Sequence, residues 1–158
     1  MAIRVTPQRF RGVAIVTLVM LALIIVAGAA VRLTGSGLGC EDWPRCSQTR
    51  LIDVSDPHTA VEQVNRLFSA LVGVVVVVCA AAARIRTPRR RDLSVLTVIL
   101  TVGTLANAVI GGISVRVDLH PLAVQAHMLL AMGLIVAGTM LVRRAGEPDG
   151  AARHVVTS

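Results

Sequence analysis

The sequence predicts an all-α membrane protein: a bundle of four transmembrane helices with both termini in the cytoplasm. Three observations lead there. Hydrophobic residues make up 54% of the 158 residues and charged residues 16%, whereas soluble chains are ~45–50% apolar even with Gly counted. The apolar residues stand in long blocks, not at the period of an amphipathic helix or strand. The arginines are dense in every second connection and sparse in the others. Together these exclude a disordered chain, an ordinary soluble enzyme and a disulfide-dense secreted mini-protein.

The blocks define the spans. Residues 1–12 are a short N-terminus. Val13 to Val31 is an uncharged run of 19 residues, Leu67 to Ala83 one of 17, Leu93 to Val115 one of 23, and Pro121 to Val142 one of 22 with a single ionisable residue, His127. A hydrocarbon core of ~30 Å needs ~17–25 helical residues, so all four qualify. Lipid offers backbone N–H and C=O groups no partner, which forces helices even on Val74 to Val78, a strand-like run in water. With the polar turn Glu62, Asn65, Arg66 included, the expected spans are 13–31, 62–83, 93–115 and 121–142. They leave an outer loop at 32–61 and a tail at 143–158.

All 16 basic residues are Arg. Eleven fall on one side if the helices alternate: Arg4, Arg9 and Arg11; Arg84, Arg86, Arg89, Arg90 and Arg91; Arg143, Arg144 and Arg153. The other side holds Arg32, Arg45, Arg50, Arg66 and Arg116, diluted by six carboxylates. The positive-inside rule then places both termini in the cytoplasm. The net charge of +7 is thus a topology signal. No basic helix or aromatic-interleaved patch outside the spans invites nucleic acid. The basic start, apolar run and Ala27-Gly28-Ala29 also resemble a signal peptide. Signal h-regions run ~7–15 residues, however, and this run is longer, so an uncleaved span is expected.

The outer loop opens with Gly35, Gly37 and Gly39 at alternate positions, which permits positive φ and a tight fold-back. Trp43 suits the membrane interface. Cys40 and Cys46 stand six apart on the oxidising side. A structural staple and a redox-active dithiol are both open to them, and zinc would need two further ligands. Cys79, deep in the second span, reads as a small buried apolar residue.

Glu62, Asn65 and Arg66 fall at i, i+3 and i+4, on one helix face. Glu62 with Arg66 reads as a plain ion pair, or as part of a functional site, since ionisable residues within a membrane are functional by default. Pro121 is a natural first helical residue, and His127 lies ~9 Å inside at 1.5 Å per residue. Both helices enter from the outside, so Glu62, Asn65, Arg66 and His127 are expected at similar depth. Neutral imidazole could bond a neighbouring helix or ligate a metal or heme iron. Gly103, Ala106, Gly111, Gly112, Ala131, Gly133 and Gly138 would let helices approach around a flat porphyrin. Arg32 and Arg66 would meet its propionates. His120 is expected in the loop or cap, and His58 and His154 at the surface.

The segment Val31-Arg32-Leu33-Thr34-Gly35-Ser36-Gly37-Leu38-Gly39-Cys40-x-Asp42-Trp43-Pro44-x-Cys46 resembles the first outer loop of heme A synthases. Glu62-x-x-Asn65-Arg66 is similar to that family's Glu-x-x-His-Arg motif, and Gly111-Gly112 followed by a Pro-led span with His127 also fits. The likeness spans about residues 10–145 and corresponds to the N-terminal half of an eight-span protein. It implies a membrane oxidoreductase that oxidises the C8 methyl of heme O to the formyl of heme A, for terminal oxidase biogenesis. The site it implies has Glu62 as catalytic carboxylate and His127 as axial ligand to iron; with them Asn65, at the motif's His position, and Arg66 and Arg32, at the level of the propionates, are expected to bind heme. It also implies a Cys40–Cys46 disulfide. Heme O is the implied substrate and heme B a candidate redox cofactor. The implied partners are the lipid bilayer, a second copy or a partner four-helix half, and heme O synthase. Two positions depart from the family pattern: Asn65 stands where the motif has His, and Glu41 where it has Pro. An amide is a poor iron ligand beside imidazole. A half-sized enzyme, a non-catalytic heme-binding or oxidase-assembly module, and a truncated fragment are the readings compatible with four spans.

Overall fold

The computed structural model describes residues 4–149. Four helices follow one another: α1 (Pro7–Leu33), α2 (Pro57–Ile85), α3 (Arg91–Arg116) and α4 (Pro121–Ala145). All four are long and apolar enough to cross a membrane, and the described residues contain no strand. The chain is a multi-pass bacterial membrane protein. Arg153 and His154 lie outside the described residues.

Each helix starts on a local signal. Thr6 caps α1 through its hydroxyl, which accepts from the Arg9 N–H, and Pro7 follows it. Asp56 caps α2, accepting from the N–H groups of His58 at 2.9 Å and Thr59 at 3.2 Å, and Pro57 follows. The apolar run with its preceding polar turn opens the second span at Glu62. The helix begins five residues earlier, because capping, not apolarity, decides where a helix starts. Pro121 opens α4, with His120 at its N-cap. Every helix carries Arg in its last turn, where the carbonyl ends of the helix dipole favour a cation.

The helices pack in a ring: α1 against α2, α2 against α3, α3 against α4, and α4 back against α1. The pairs α1/α3 and α2/α4 are diagonals. Both described chain ends lie at one end of the bundle, the termini end. There Val5 pairs with the chain after α2 (Val5 N–H to Ile85 C=O 3.2 Å, Thr87 N–H to Val5 C=O 3.0 Å), and Arg86 reaches Asp149. The opposite, loop end carries residues 34–56 and the α3–α4 turn.

The apolar core occupies the half next to the termini. Phe10, Ala14 and Leu21 of α1, Val72, Val76 and Cys79 of α2, Leu93, Leu96 and Leu100 of α3, and Leu134 and Leu141 of α4 form it. Cys79 is buried there, as its apolar character requires. Gly103 and Gly138 allow the close approaches. A Cβ on Gly103 would lie 2.6 Å from Leu134, and one on Gly138 3.2 Å from Leu18 of α1. Gly133 faces open space instead. Toward the loop end the buried positions turn polar: Ser36, Thr59, Glu62, Gln63 and Ser114. Helix order and rotation thus divide the bundle into a dry half and a polar half.

Candidate functional site

The loop after α1 folds down onto the start of α2. Gly35 takes φ +67°, but Gly37 and Gly39 do not have positive φ. Gly39 is needed for proximity: a Cβ there would sit 2.6 Å from the His58 backbone. The Thr59 hydroxyl donates to the Gly39 carbonyl at 2.9 Å, and Ser36 Oγ lies 3.0 Å from His58 Nδ1. Cys40 and Cys46 are joined in a disulfide.

Glu62 holds this loop. Its Oε2 accepts from the Cys40 N–H at 2.9 Å, and its Oε1 accepts from Arg66 Nε at 3.0 Å and Nη2 at 2.5 Å. The Glu62 side chain is 5% exposed and that of Arg66 15%. Arg66 Nη1 reaches the carbonyls of Asp42 at 2.8 Å and Arg45 at 3.1 Å. The i,i+4 ion pair is therefore present, but buried beneath the disulfide loop and not at a frayed helix end. Four of the five N–H groups of Arg66 are committed to Glu62 and the loop, leaving one for a propionate. Arg32 is exposed and makes no ion pair or hydrogen bond to another described side chain.

His127 stands on α4, half-buried, with Nδ1 3.0 Å from the Asn107 carbonyl of α3. A carbonyl can only accept, so Nδ1 carries the proton and Nε2 has the free lone pair. Nε2 has no partner among the described residues and is not among the buried unpaired atoms. Gly111 makes room for the ring: a Cβ there would lie 3.0 Å from His127 Cε1. On Gly112 a Cβ would overlap the indole of Trp43. Trp43 is anchored by its carbonyl, which accepts from Arg116 Nη2 at 2.7 Å, and Asp42 lies 3.6 Å from the same guanidinium. The glycine pair on α3 thus seats an imidazole on one side and the loop's indole on the other.

Glu62 and His127 share no hydrogen bond and sit on the diagonal pair α2/α4. What connects them is α3, through Asn107 and Gly111, and the outer loop through Trp43. Three buried oxygens of α2 and α3 have no partner: Asn65 Oδ1, Thr104 Oγ1 and Asn107 Oδ1. Buried polar atoms are seldom left unmatched, so these oxygens are candidate partners for a bound group. Sequence reasoning missed Thr104 and Asn107. The signal was there: they are polar residues inside an apolar run, at i and i+3 on one face. In the loop, Asp53, held by Ser55, and Asp56 are both perturbed acids, and Asp56 is the cap of α2. The Thr59 hydroxyl and N–H, with the His58 N–H, hold its carboxyl below the ordinary aspartate range. A cleft of about 1000 Å³ opens at the far, termini end, between Arg89, Arg90, Arg91, Asp92, Arg144 and Asp149, away from His127.

Comparison with known proteins adds the following. The profile of COX15-CtaA, described as cytochrome oxidase assembly protein, matches residues 11–63 and 51–157. A protein named heme A synthase from Listeria welshimeri is 28% identical over 116 residues, 72% of this chain and 38% of that protein. One of the same name from Shewanella oneidensis is 29% identical over 140 residues, 76% of this chain and 41% of the relative. Another, from Geobacillus kaustophilus, is 33% identical over 100 residues, 63% and 31% of the two chains. The chain spans less than half the length of these curated relatives.

Proposed function

Because the chain belongs to the COX15-CtaA family of cytochrome oxidase assembly proteins, we propose that it is a heme-binding membrane oxidoreductase of heme A biosynthesis, converting heme O to heme A by oxidation of the C8 methyl to a formyl group. The observation that carries this reading is His127. Its Nδ1–H is spent on a backbone carbonyl, and its Nε2 is open. A hydrogen bond of this kind, from the far ring nitrogen to a carbonyl, fixes a ligating histidine's tautomer.

The residues fit a porphyrin. The loop-end half of the bundle leaves Asn65, Thr104 and Asn107 with oxygens unmatched among the described residues. When bound, heme would supply the iron at which oxygen chemistry takes place. His127 would hold it through Nε2, with Nδ1 kept on the Asn107 carbonyl. Asn65 would offer the heme an amide where the family motif has imidazole, a poorer ligand for iron. Arg32, with a free guanidinium, neutralises a propionate, and Arg66 contributes its one remaining N–H. Glu62 keeps an anionic carboxylate at the outer mouth, able to accept a proton or to stabilise positive charge near the reacting methyl, worth ~10²–10⁴ in rate for a positioned base. The bundle works beside a second four-helix half, supplied by another copy or by a partner, as the greater length of the relatives suggests. Both termini face the cytoplasm in this reading, on the arginine count.

A second reading, an assembly module that binds heme without converting it, draws on Asn65 and on the full engagement of both Glu62 oxygens. Expression with a heme O supply, followed by extraction and identification of the pigments, separates the two. Heme A in the extract supports catalysis, and unchanged heme O supports the binding module. A colourless protein refutes both. His127→Ala is expected to remove most of the heme absorption, and retained spectra would reduce His127 to a packing residue.

A further inference from the structure

At the termini end, pairing of Val5 with Ile85 and Thr87 turns the chain back and opens a cleft of about 350 Å³ lined by Arg4, Arg84, Ile85, Arg86, Thr87 and Arg89. Four of these six residues are arginines and none is acidic. Arg86 is 1% exposed, and Asp149 neutralises it at 2.7 Å. Its Nε is buried with no partner among the described residues. The α2 carbonyls, which would repel an anion, are already capped: Arg89 Nε donates to Arg84 C=O at 2.9 Å and the Val5 N–H donates to Ile85 C=O. The remaining N–H groups of Arg4, Arg84 and Arg89 have no acceptor among the described residues. Three like charges brought together at one cleft repel unless a counter-charge joins them.

We propose that this cleft binds the phosphodiester of an anionic phospholipid headgroup, in the leaflet on the arginine-rich side of the membrane. Soluble phosphate shares the chemistry, but the position favours lipid. The apolar run of α2 ends at Ala83, one residue before Arg84, so the guanidiniums stand at the level where phosphodiesters lie. Val74, Val78, Ala81 and Ile85 follow one another along a single exposed stripe of α2 that leads to the cleft, a track for an acyl chain. Basic pockets at helix ends are a recurrent way to hold acidic headgroups.

The test uses the full chain, purified in an uncharged detergent, with native mass spectrometry and thermal melting in the presence of phosphatidylglycerol, phosphatidylcholine or inorganic phosphate. Phosphatidylglycerol is expected to remain bound and to raise the melting midpoint, and the other two to do neither. Each arginine near a charged lipid surface contributes roughly fivefold in affinity, so Arg84→Gln should weaken binding about fivefold and the triple change Arg4→Gln, Arg84→Gln, Arg89→Gln on the order of a hundredfold. These three are exposed, so the fold is expected to survive. Arg9→Gln, Arg11→Gln, Arg143→Gln removes the same charge from the same end outside the cleft and should leave affinity within about twofold. Equal loss in both triple variants would mean diffuse surface charge and overturn the site. So would binding of phosphatidylcholine as tight as that of phosphatidylglycerol. Phosphate matching phosphatidylglycerol would overturn the lipid assignment.

Discussion

Replacing Glu62 separates a structural carboxylate from a chemical one. Glu62 accepts three hydrogen bonds, two from Arg66 and one from the Cys40 N–H, while almost wholly buried. Glu62→Gln keeps the volume but removes the charge, and its single oxygen can serve Cys40 or Arg66 well, not both. A hydrogen bond to a charged group is worth ~1.5–3 kcal/mol, so the loss should be about 2 kcal/mol. Glu62→Ala strips Arg66 of its counter-charge and leaves the Cys40 N–H unpaired, which costs ~3–5 kcal/mol. Thermal unfolding in detergent reads the stability. The rate at which mild reductant opens Cys40–Cys46, followed by alkylation mass, reads how firmly the loop is held. The melting midpoint should fall in the order wild type, Gln, Ala, and the reduction rate should rise in the same order. If Glu62→Gln melts and reduces like the wild type, the carboxylate does not hold the loop. If heme A formation is also lost in that variant while both readouts stay fixed, the carboxylate belongs to the reaction.

Three further outcomes are expected. Gly112→Ala pushes the Trp43 indole off α3, and overpacking of this kind costs ~1–3 kcal/mol; Trp43, the one tryptophan of the chain, reports the displacement by a shift in its fluorescence maximum. Asp56→Ala removes the cap of α2 and lowers the melting midpoint. Because the folded Asp56 carboxyl is held below its unfolded value, its contribution is present above the unfolded pKa and is lost as pH falls through the folded one, so the variant and the wild type should converge in melts at acid pH. Asp149→Asn leaves Arg86, fully buried, without its counter-charge, a loss of ~3–5 kcal/mol that chemical or thermal unfolding would register, whereas Arg9→Gln at the same end should stay within ~0.5 kcal/mol.

The sequence by itself determined the fold class and the number of spans. Four apolar blocks of span length leave the backbone no alternative to helices in lipid, so composition along the chain suffices. It also singled out Glu62, Asn65, Arg66 and His127 as candidates for a site, because a polar side chain in an apolar run has to be explained. What the tertiary structure decided is how those residues are used. The Glu62 carboxylate faces the Cys40 amide, 22 positions away, because the glycine loop folds onto α2 and not outward. The imidazole of His127 is fixed by Asn107 because α4 packs on α3, while Glu62 lies across the diagonal. Arg86, in the arginine-dense connection between the second and third spans, is buried because Asp149 reaches it from the stretch after α4. Hydropathy records which residues avoid water. It carries no information on the order of helices around the ring or on their rotation, and these set which polar groups find one another and which are left for a ligand.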